Sequence, residues 1–340
     1  MALLRSASYK AIATKAGAGC MNADIEFVAG HVAHLDIANT PTLSAIIVNF
    51  NAGPLLRSCV DSLMACPLAV EVIVVDNVSH DGSLDGLPDS PRIRVIRNTT
   101  NVGFAAACNI GIQASSATFL LFLNPDCFFQ PGAVATLLAG LQFGDRVGMV
   151  GGLLVNEDGS EQGGGRRAVP TPWRSFVRAF GLHRFAHRWP KLFYDFHLHK
   201  QPLPEGPIEV EAISGACMLV KRETVEDVGL WDEGYFLHCE DLDWCMRFRQ
   251  KGWKILFVPD ARIYHALGAC SRSRPFFVEW HKHRGMVRFY DKFFHHQYPG
   301  ALMWLVTLGV WLRFGLVSTY FAARLALAQI KGALRGGARA

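Results

Sequence analysis

The chain has no Cys-x-x-Cys pair, no long run of lysine and arginine, and no Gly-x-Gly-x-x-Gly or Gly-Lys-Ser/Thr motif. Each absence removes a class of protein. Nine cysteines scattered singly do not make the framework of a small secreted scaffold, and those at 239 and 245 match no standard zinc spacing. Reduced thiols in a cytosolic setting are expected. A formal charge of +5 on 340 residues, without a basic run, does not suggest nucleic-acid binding. The first strand-to-helix turn reads NFNAGPLL, so a diphosphate held on a glycine loop at a helix N-terminus is not expected there. Residues 1–40 lack the continuous apolar core of a signal peptide and read as a variable extension.

What the chain does have is apolar mass, half of its residues, arranged in short runs. LSAIIVN (43–49), VEVIVVDN (70–77), IRVI (93–96) and ATFLLFL (117–123) are rich in β-branched and aromatic residues. Helical patterns separate them after Gly53-Pro54 and from Asn101 through Ile110. Strands alternating with helices at this spacing predict an α/β fold with a mostly parallel twisted sheet and helices on both faces. In such sheets ligands gather at the C-terminal strand ends, where the chain places Asn49, Asp76 and Asn124-Pro125-Asp126. A further helix is expected after Gly132, and strands at 147–155, 208–213 and 218–220. Residues 162–206, punctuated by glycine and proline, read as an irregular insertion or mobile loop.

Two features carry more specific information. LLFLNPDCFF (120–129) ends a hydrophobic strand in an amide, a proline and a carboxylate; a carboxylate among apolar neighbours is costly without a compensating cation. Trp231 to Arg247 places Glu240, Asp241 and Asp243 among aromatics at a helix start. Acids there complement the helix dipole, but three exceed what capping needs, and one facing a pocket has the chemistry of a general base. Toward the C-terminus, residues 301–323 are long enough to cross a bilayer, with Arg313 inside the run and Arg324, Lys331 and Arg335 after it. An interfacial helix or a hairpin dipping into the membrane accommodates that charge better than a simple span; a soluble helix packed on the core is the alternative.

Taken together, IIVNFN (46–51), VVDNVSHDGS (74–83), NVGFAAACNIG (101–111), LLFLNPD (120–126), SGACMLVKRE (214–223), residues 236–247 and YHALGACS (264–271) resemble the inverting family 2 glycosyltransferases of GT-A fold, especially the bacterial rhamnosyltransferase-like branch. Motif order is intact over 42–272. The resemblance implies a catalytic domain over 41–275 and a membrane-associating region over 276–340. It implies that Asp126 binds Mg2+ or Mn2+, with Asn124 standing where relatives carry another acid and His265 as a further metal ligand. A strand-end histidine bonded to backbone is the alternative for His265. Asp76 would recognise the nucleotide base, or act only as a turn former with Ser79; Asn49, Asn77, Gly103, Phe104, Asn109 and Asn124 would shape the donor pocket. Asp241 would be the catalytic base, with Glu240 and Asp243 orienting the helix or the acceptor. The implied reaction is metal-assisted single displacement from a nucleotide diphospho-sugar, dTDP-rhamnose favoured, to a lipid-linked or envelope acceptor at the cytoplasmic membrane face. Galactofuranose or GlcNAc donors remain alternatives within the family. A nucleotidyltransferase, which would show a basic glycine-rich loop near the first strand, and a non-catalytic nucleotide-sugar-binding protein are alternatives outside it.

Overall fold

The computed structural model describes residues 42–179, 181–189, 192–193, 198–266 and 274–337. The expected extension at 1–40 and the LGACS end of YHALGACS lie outside the described residues. The chain divides into two compact units, one of Met1–Val169, Asp195–Gly234 and Glu240–Cys270, the other of Pro170–Tyr194, Tyr235–Cys239 and Ser271–Ala340.

The first unit contains strands β1 (Leu43–Asn49), β2 (Val70–Asp76), β3 (Ile93–Arg97), β4 (Phe119–Leu123), β5 (Cys127–Phe129), β6 (Val147–Val155), β7 (Arg166–Arg167), β8 (Ile208–Glu209), β9 (Ala212–Ile213), β10 (Cys217–Lys221) and β11 (Lys254–His265). Nine of them form one sheet in the order β3-β2-β1-β4-β10-β6-β11-β5, with β8 on β11; β7 and β9 make a separate ribbon. Strands β1, β2, β3, β4, β6 and β11 point one way, and β5, β8 and β10 run against them. The sheet is thus mostly parallel. Strands β1, β4 and β6 are buried along their whole length, as expected when helices cover both faces. Those helices are α1 (Pro54–Met64), α2 (Phe104–Ala114), α3 (Ala133–Gly140), and, past α4 (Pro172–Ala179) of the second unit, α5 (Arg222–Val228) and α6 (Glu240–Gln250). Helix α2 lies so close to β1 that a Cβ at Gly111 would come within 2.3 Å of Ile46 Cγ2.

Two expectations change. The strand expected over 208–213 is two strands: Ile208–Glu209 pairs with β11 and Ala212–Ile213 with β7. Between them the Glu211 carboxylate accepts the Val169 N–H at 2.8 Å, which draws the chain from one sheet to the other. The stretch over 162–206, expected to be irregular, carries β7, α4 and two short 3-10 turns. Strand β11 contains Pro259, whose missing N–H falls where its register against β6 shifts between Val258 and Arg262.

Register sets the site. Asn49 lies opposite Asp76 at the ends of β1 and β2, and Leu123 ends β4 beside Ile47. Antiparallel β10 starts at the same edge, with Cys217 opposite Leu123, and β11 ends there with His265 opposite Cys127.

In the second unit, Ser175 Oγ on α4 lies 2.6 Å from the Tyr290 hydroxyl of α7 (Pro275–Phe294). Helix α8 (Gly300–Gly337) packs on α7 through Trp280, whose ring centre is 5.1 Å from that of Trp311 and 5.7 Å from that of Phe314. Arg313, the charge inside the apolar run, donates to His283 Nε2 at 2.8 Å, while His283 Nδ1 faces the Glu279 carbonyl at 2.7 Å. Among the described residues one helical stretch, Gly300–Leu327, is long and apolar enough to cross a membrane, with mean hydropathy 1.7. Trp304, Leu305, Leu312 and Leu316 on it are exposed.

Candidate active site

At the β1–β2 end, the buried Asn49 side chain donates to Asp76 Oδ1 at 2.8 Å and lies 3.0 and 2.9 Å from the hydroxyls of Ser79 and Ser83. Asp76 Oδ2 accepts the Ser79 N–H at 3.1 Å, so the turn-forming bond is present; Asn49 Oδ1 is buried without a partner. Asn77 ties this edge to the next turn, donating to the Gly103 carbonyl at 3.1 Å and accepting from Asn98 at 2.8 Å. Gly103 has φ of 87°, a left-handed value that favours glycine, and it opens α2. Phe104 meets Trp231 edge-on with ring centres 5.8 Å apart. Asn109 is buried and fully engaged: its amide donates to the Trp231 carbonyl and to Glu233, and its oxygen accepts the Trp231 N–H. It ties α2 to the Trp231 backbone, a little over one turn of helix from the Phe104–Trp231 contact.

The end of β4 and the end of β11 converge on a buried cluster. His265 Nε2 lies 3.3 Å from Asp126 Oδ1, and Asn124 Nδ2 lies 3.5 Å from the same nitrogen. Asp126, Cys127 and His265 are the described groups close enough together to hold an ion. Cys127 is the poor member of the three. Burial first, then the Asp126 charge, hold its thiol well above the usual range, and Sγ points to the Ala216 carbonyl at 3.4 Å. A carboxylate with one imidazole suits a divalent ion such as Mn2+ or Mg2+, and the imidazole favours the former. The other ring nitrogen, Nδ1, lies 2.5 Å from Gln162 Oε1.

The third group is at the start of α6. Two consecutive left-handed residues, His238 at φ 68° and Cys239 at φ 71°, precede it. Asp241 Oδ2 accepts the Gly215 N–H at 3.1 Å and pairs with Arg167 from β7; Oδ1 accepts the Leu242 N–H at 2.8 Å. A Cβ at Gly215 would stand 3.2 Å from Asp241 Cβ, a tight approach that would push the Asp241 side chain aside by a few tenths of an ångström. Because β10 begins beside this turn, Asp241 belongs to the same sheet edge as Asp76 and Asp126. Glu240 points inward, with Oε2 buried and unpaired; burial, then the charge of Asp241, push its carboxyl up to about 8. Asp243 is buried and pairs with Arg247 at 2.6 Å, whose guanidinium also donates to the carbonyls of Val228 and Leu230. Its contacts orient the helix.

Sequence reasoning missed Gln162 and Arg167. Both sit in the glycine-rich run read as irregular, and the only local signal was Arg166-Arg167, adjacent strand residues that face opposite ways. Arg166 turns in to a buried pair with Glu161 at 2.8 Å, and Arg167 turns out to Asp241.

The sequence profile described as glycosyl transferase family 2 matches residues 44–229, and that of glycosyl transferase family group 2 matches 165–330. The N-acetylglucosaminyl-diphospho-decaprenol L-rhamnosyltransferase of Mycobacterium tuberculosis is 30% identical over 244 residues, covering 66% of this chain and 76% of that protein. The dTDP-rhamnosyl transferase RfbF of Shigella flexneri is 25% identical over 202 residues, 58% of this chain and 60% of its own length. Among solved structures, the mannosyltransferase PcManGT of Pyrobaculum calidifontis, with GDP-Man and Mn2+, shares the fold at TM-score 0.51 and 17% identity, over 86% of this chain and 77% of its own. With a family profile matched along more than half of its length and a relative at 30% identity, the chain belongs to glycosyl transferase family 2 and is a glycosyltransferase.

Proposed function

We propose that the protein transfers a deoxyhexose, L-rhamnose from dTDP-rhamnose, to a lipid-linked glycan acceptor with inversion at the anomeric carbon. The observation that carries the reading is the register that brings Asp76, the Asp126–His265 pair and Asp241 to one edge of one sheet. The rhamnosyl donor and the lipid-linked acceptor rest on the mycobacterial and Shigella relatives, whose names carry those substrates. In this reading residues 41–275 are the catalytic domain and 276–340 attach it to the cytoplasmic face of the membrane, the exposed apolar side chains of α8 meeting lipid.

In this reading the roles divide among the residues gathered at that edge. Asp76 and Asn49 meet the nucleotide base, and Gly103 lets the backbone approach it. Asp126 and His265 would hold a divalent ion, Mn2+ or Mg2+, and that ion would supply positive charge to offset the diphosphate. Asp241 takes the proton of the acceptor hydroxyl as that oxygen forms its bond to the anomeric carbon and the carbon–diphosphate bond breaks. No covalent sugar–enzyme bond is formed. Arg167 and the Gly215 N–H hold the Asp241 carboxylate in one orientation. Burial, then the charge of Asp241, raise the Glu240 carboxyl and favour its protonated form beside that base.

The test is release of nucleoside diphosphate from a panel of nucleotide sugars, with and without Mn2+ or Mg2+, in the presence of a prenyl-diphospho-GlcNAc acceptor. Metal-dependent transfer from dTDP-rhamnose with an inverted product linkage is expected. Transfer from another donor alone would replace the rhamnose assignment, and retention of configuration would overturn the role of Asp241.

A further inference from the structure

Gln162 is buried, and one end of its side-chain amide lies 3.2 Å from the His265 backbone carbonyl and 3.1 Å from Asn156 Oδ1. A backbone carbonyl only accepts hydrogen bonds, so the atom facing it is the amide nitrogen. The amide oxygen therefore faces His265 Nδ1, 2.5 Å away, and that contact is a hydrogen bond only when Nδ1 carries the proton. In the neutral ring Nε2 then presents a bare lone pair. It does so 3.3 Å from Asp126 Oδ1, itself an acceptor, in a buried site. Two electron-rich atoms facing each other out of water repel unless a cation joins them. The Asn124 amide, at 3.5 Å, is too far to play that part well.

We infer that Gln162 is a positioning residue for the cation site: it fixes His265 as the Nδ1–H tautomer and so presents Nε2 to the ion that Asp126 binds. The inference rests on the metal reading of Asp126 and His265 proposed above. The fold holds Gln162 in place. Its N–H donates to the Leu154 carbonyl at 2.8 Å, beside the bridge between Val155 and Glu161. Turning the amide over would set its oxygen against the His265 carbonyl and its nitrogen against Nδ1–H, losing both bonds. Groups that orient a metal-binding imidazole in this way matter to ion affinity almost as much as the ligands, with losses of about 10–100-fold when they are removed.

The experiment uses full-length protein with 15N-labelled histidine rings and no added metal, the His265 signals being assigned by their absence from His265→Gln. The wild type is expected to show a proton on His265 Nδ1, the nitrogen that faces Gln162. A wild-type ring bare at Nδ1 and protonated only at Nε2 overturns the inference, whatever any variant does. Gln162→Leu, of similar size and without an acceptor, is expected to lose the Nδ1–H preference and to weaken Mn2+ binding about 10–100-fold, read from the paramagnetic resonance of free Mn2+. Wild-type tautomer and wild-type Mn2+ affinity in Gln162→Leu also overturn it. Failure of the underlying metal reading looks different: Asp126→Asn and His265→Gln would then bind Mn2+ like the wild type.

Discussion

Asp241→Asn is the sharpest perturbation of the proposed chemistry, because it removes a base while changing neither size nor shape. The wild-type carboxylate accepts from Arg167 and Gly215 on one oxygen and from Leu242 on the other. Asparagine keeps its oxygen on the side of Arg167 and Gly215 and turns its NH2 toward the Leu242 N–H, which loses that bond. One unsatisfied donor costs about 1–3 kcal/mol of folding stability, so the melting temperature should fall modestly while the fold survives. The chemical effect is larger. A positioned general base contributes about 10²–10⁴-fold, so kcat for transfer should drop by about 3–5 kcal/mol of barrier. Donor affinity should hold, since the contacts assigned to the nucleotide come from β1, β2 and the turn before α2. The assay pairs transfer rates at saturating donor with calorimetric nucleotide binding on the same preparation. Transfer at the wild-type rate would refute Asp241 as the base. Loss of nucleotide binding with an intact fold would refute the separation of donor and base sites.

Arg166→Met should destabilise the protein by about 3–5 kcal/mol in chemical denaturation, because it strands the buried Glu161 charge. Arg167→Met should cost less, since Arg167 and Asp241 both keep some water contact. Glu240 binds its proton more tightly folded than unfolded, so the folded state gains relative stability at low pH and loses it as pH rises from about 4.5 through about 8. Glu240→Gln, which is neutral at every pH, should therefore unfold at a temperature that depends less on pH over that window; an unchanged slope would mean that Glu240 is ionised at neutral pH. Deleting the residues from Pro299 onward should release the protein from sedimented membranes while leaving the nucleotide site folded.

Much of the fold was legible because its signals are local. β1, β2, β4 and β6 are continuous apolar runs, Gly53-Pro54 and Gly103 mark helix starts, and each lies where the pattern put it. The split of 208–213 was not legible, since it depends on where Glu211 finds a partner 42 residues away. Strand β11 carries Pro259 in its interior, and only a register shift against β6 lets the strand run through to His265. Gln162 and Arg167 carried little signal beyond the adjacent Arg166-Arg167 pair, because a glutamine or arginine in a glycine-rich run reads as solvated surface. Their partners, His265 and Asp241, stand 103 and 74 residues away.

The sequence by itself determined the strand–helix alternation of the first half of the sheet, the family, and the acids that end up at the sheet's C-terminal edge. It could do so because periodicity and motif spacing are written along the chain. Tertiary structure alone decided what each acid faces: Asp126 an imidazole whose other nitrogen faces Gln162, Asp241 a guanidinium and a glycine N–H, Asp243 a structural arginine. Charge chemistry depends on distance and burial, and those are properties of strands brought side by side.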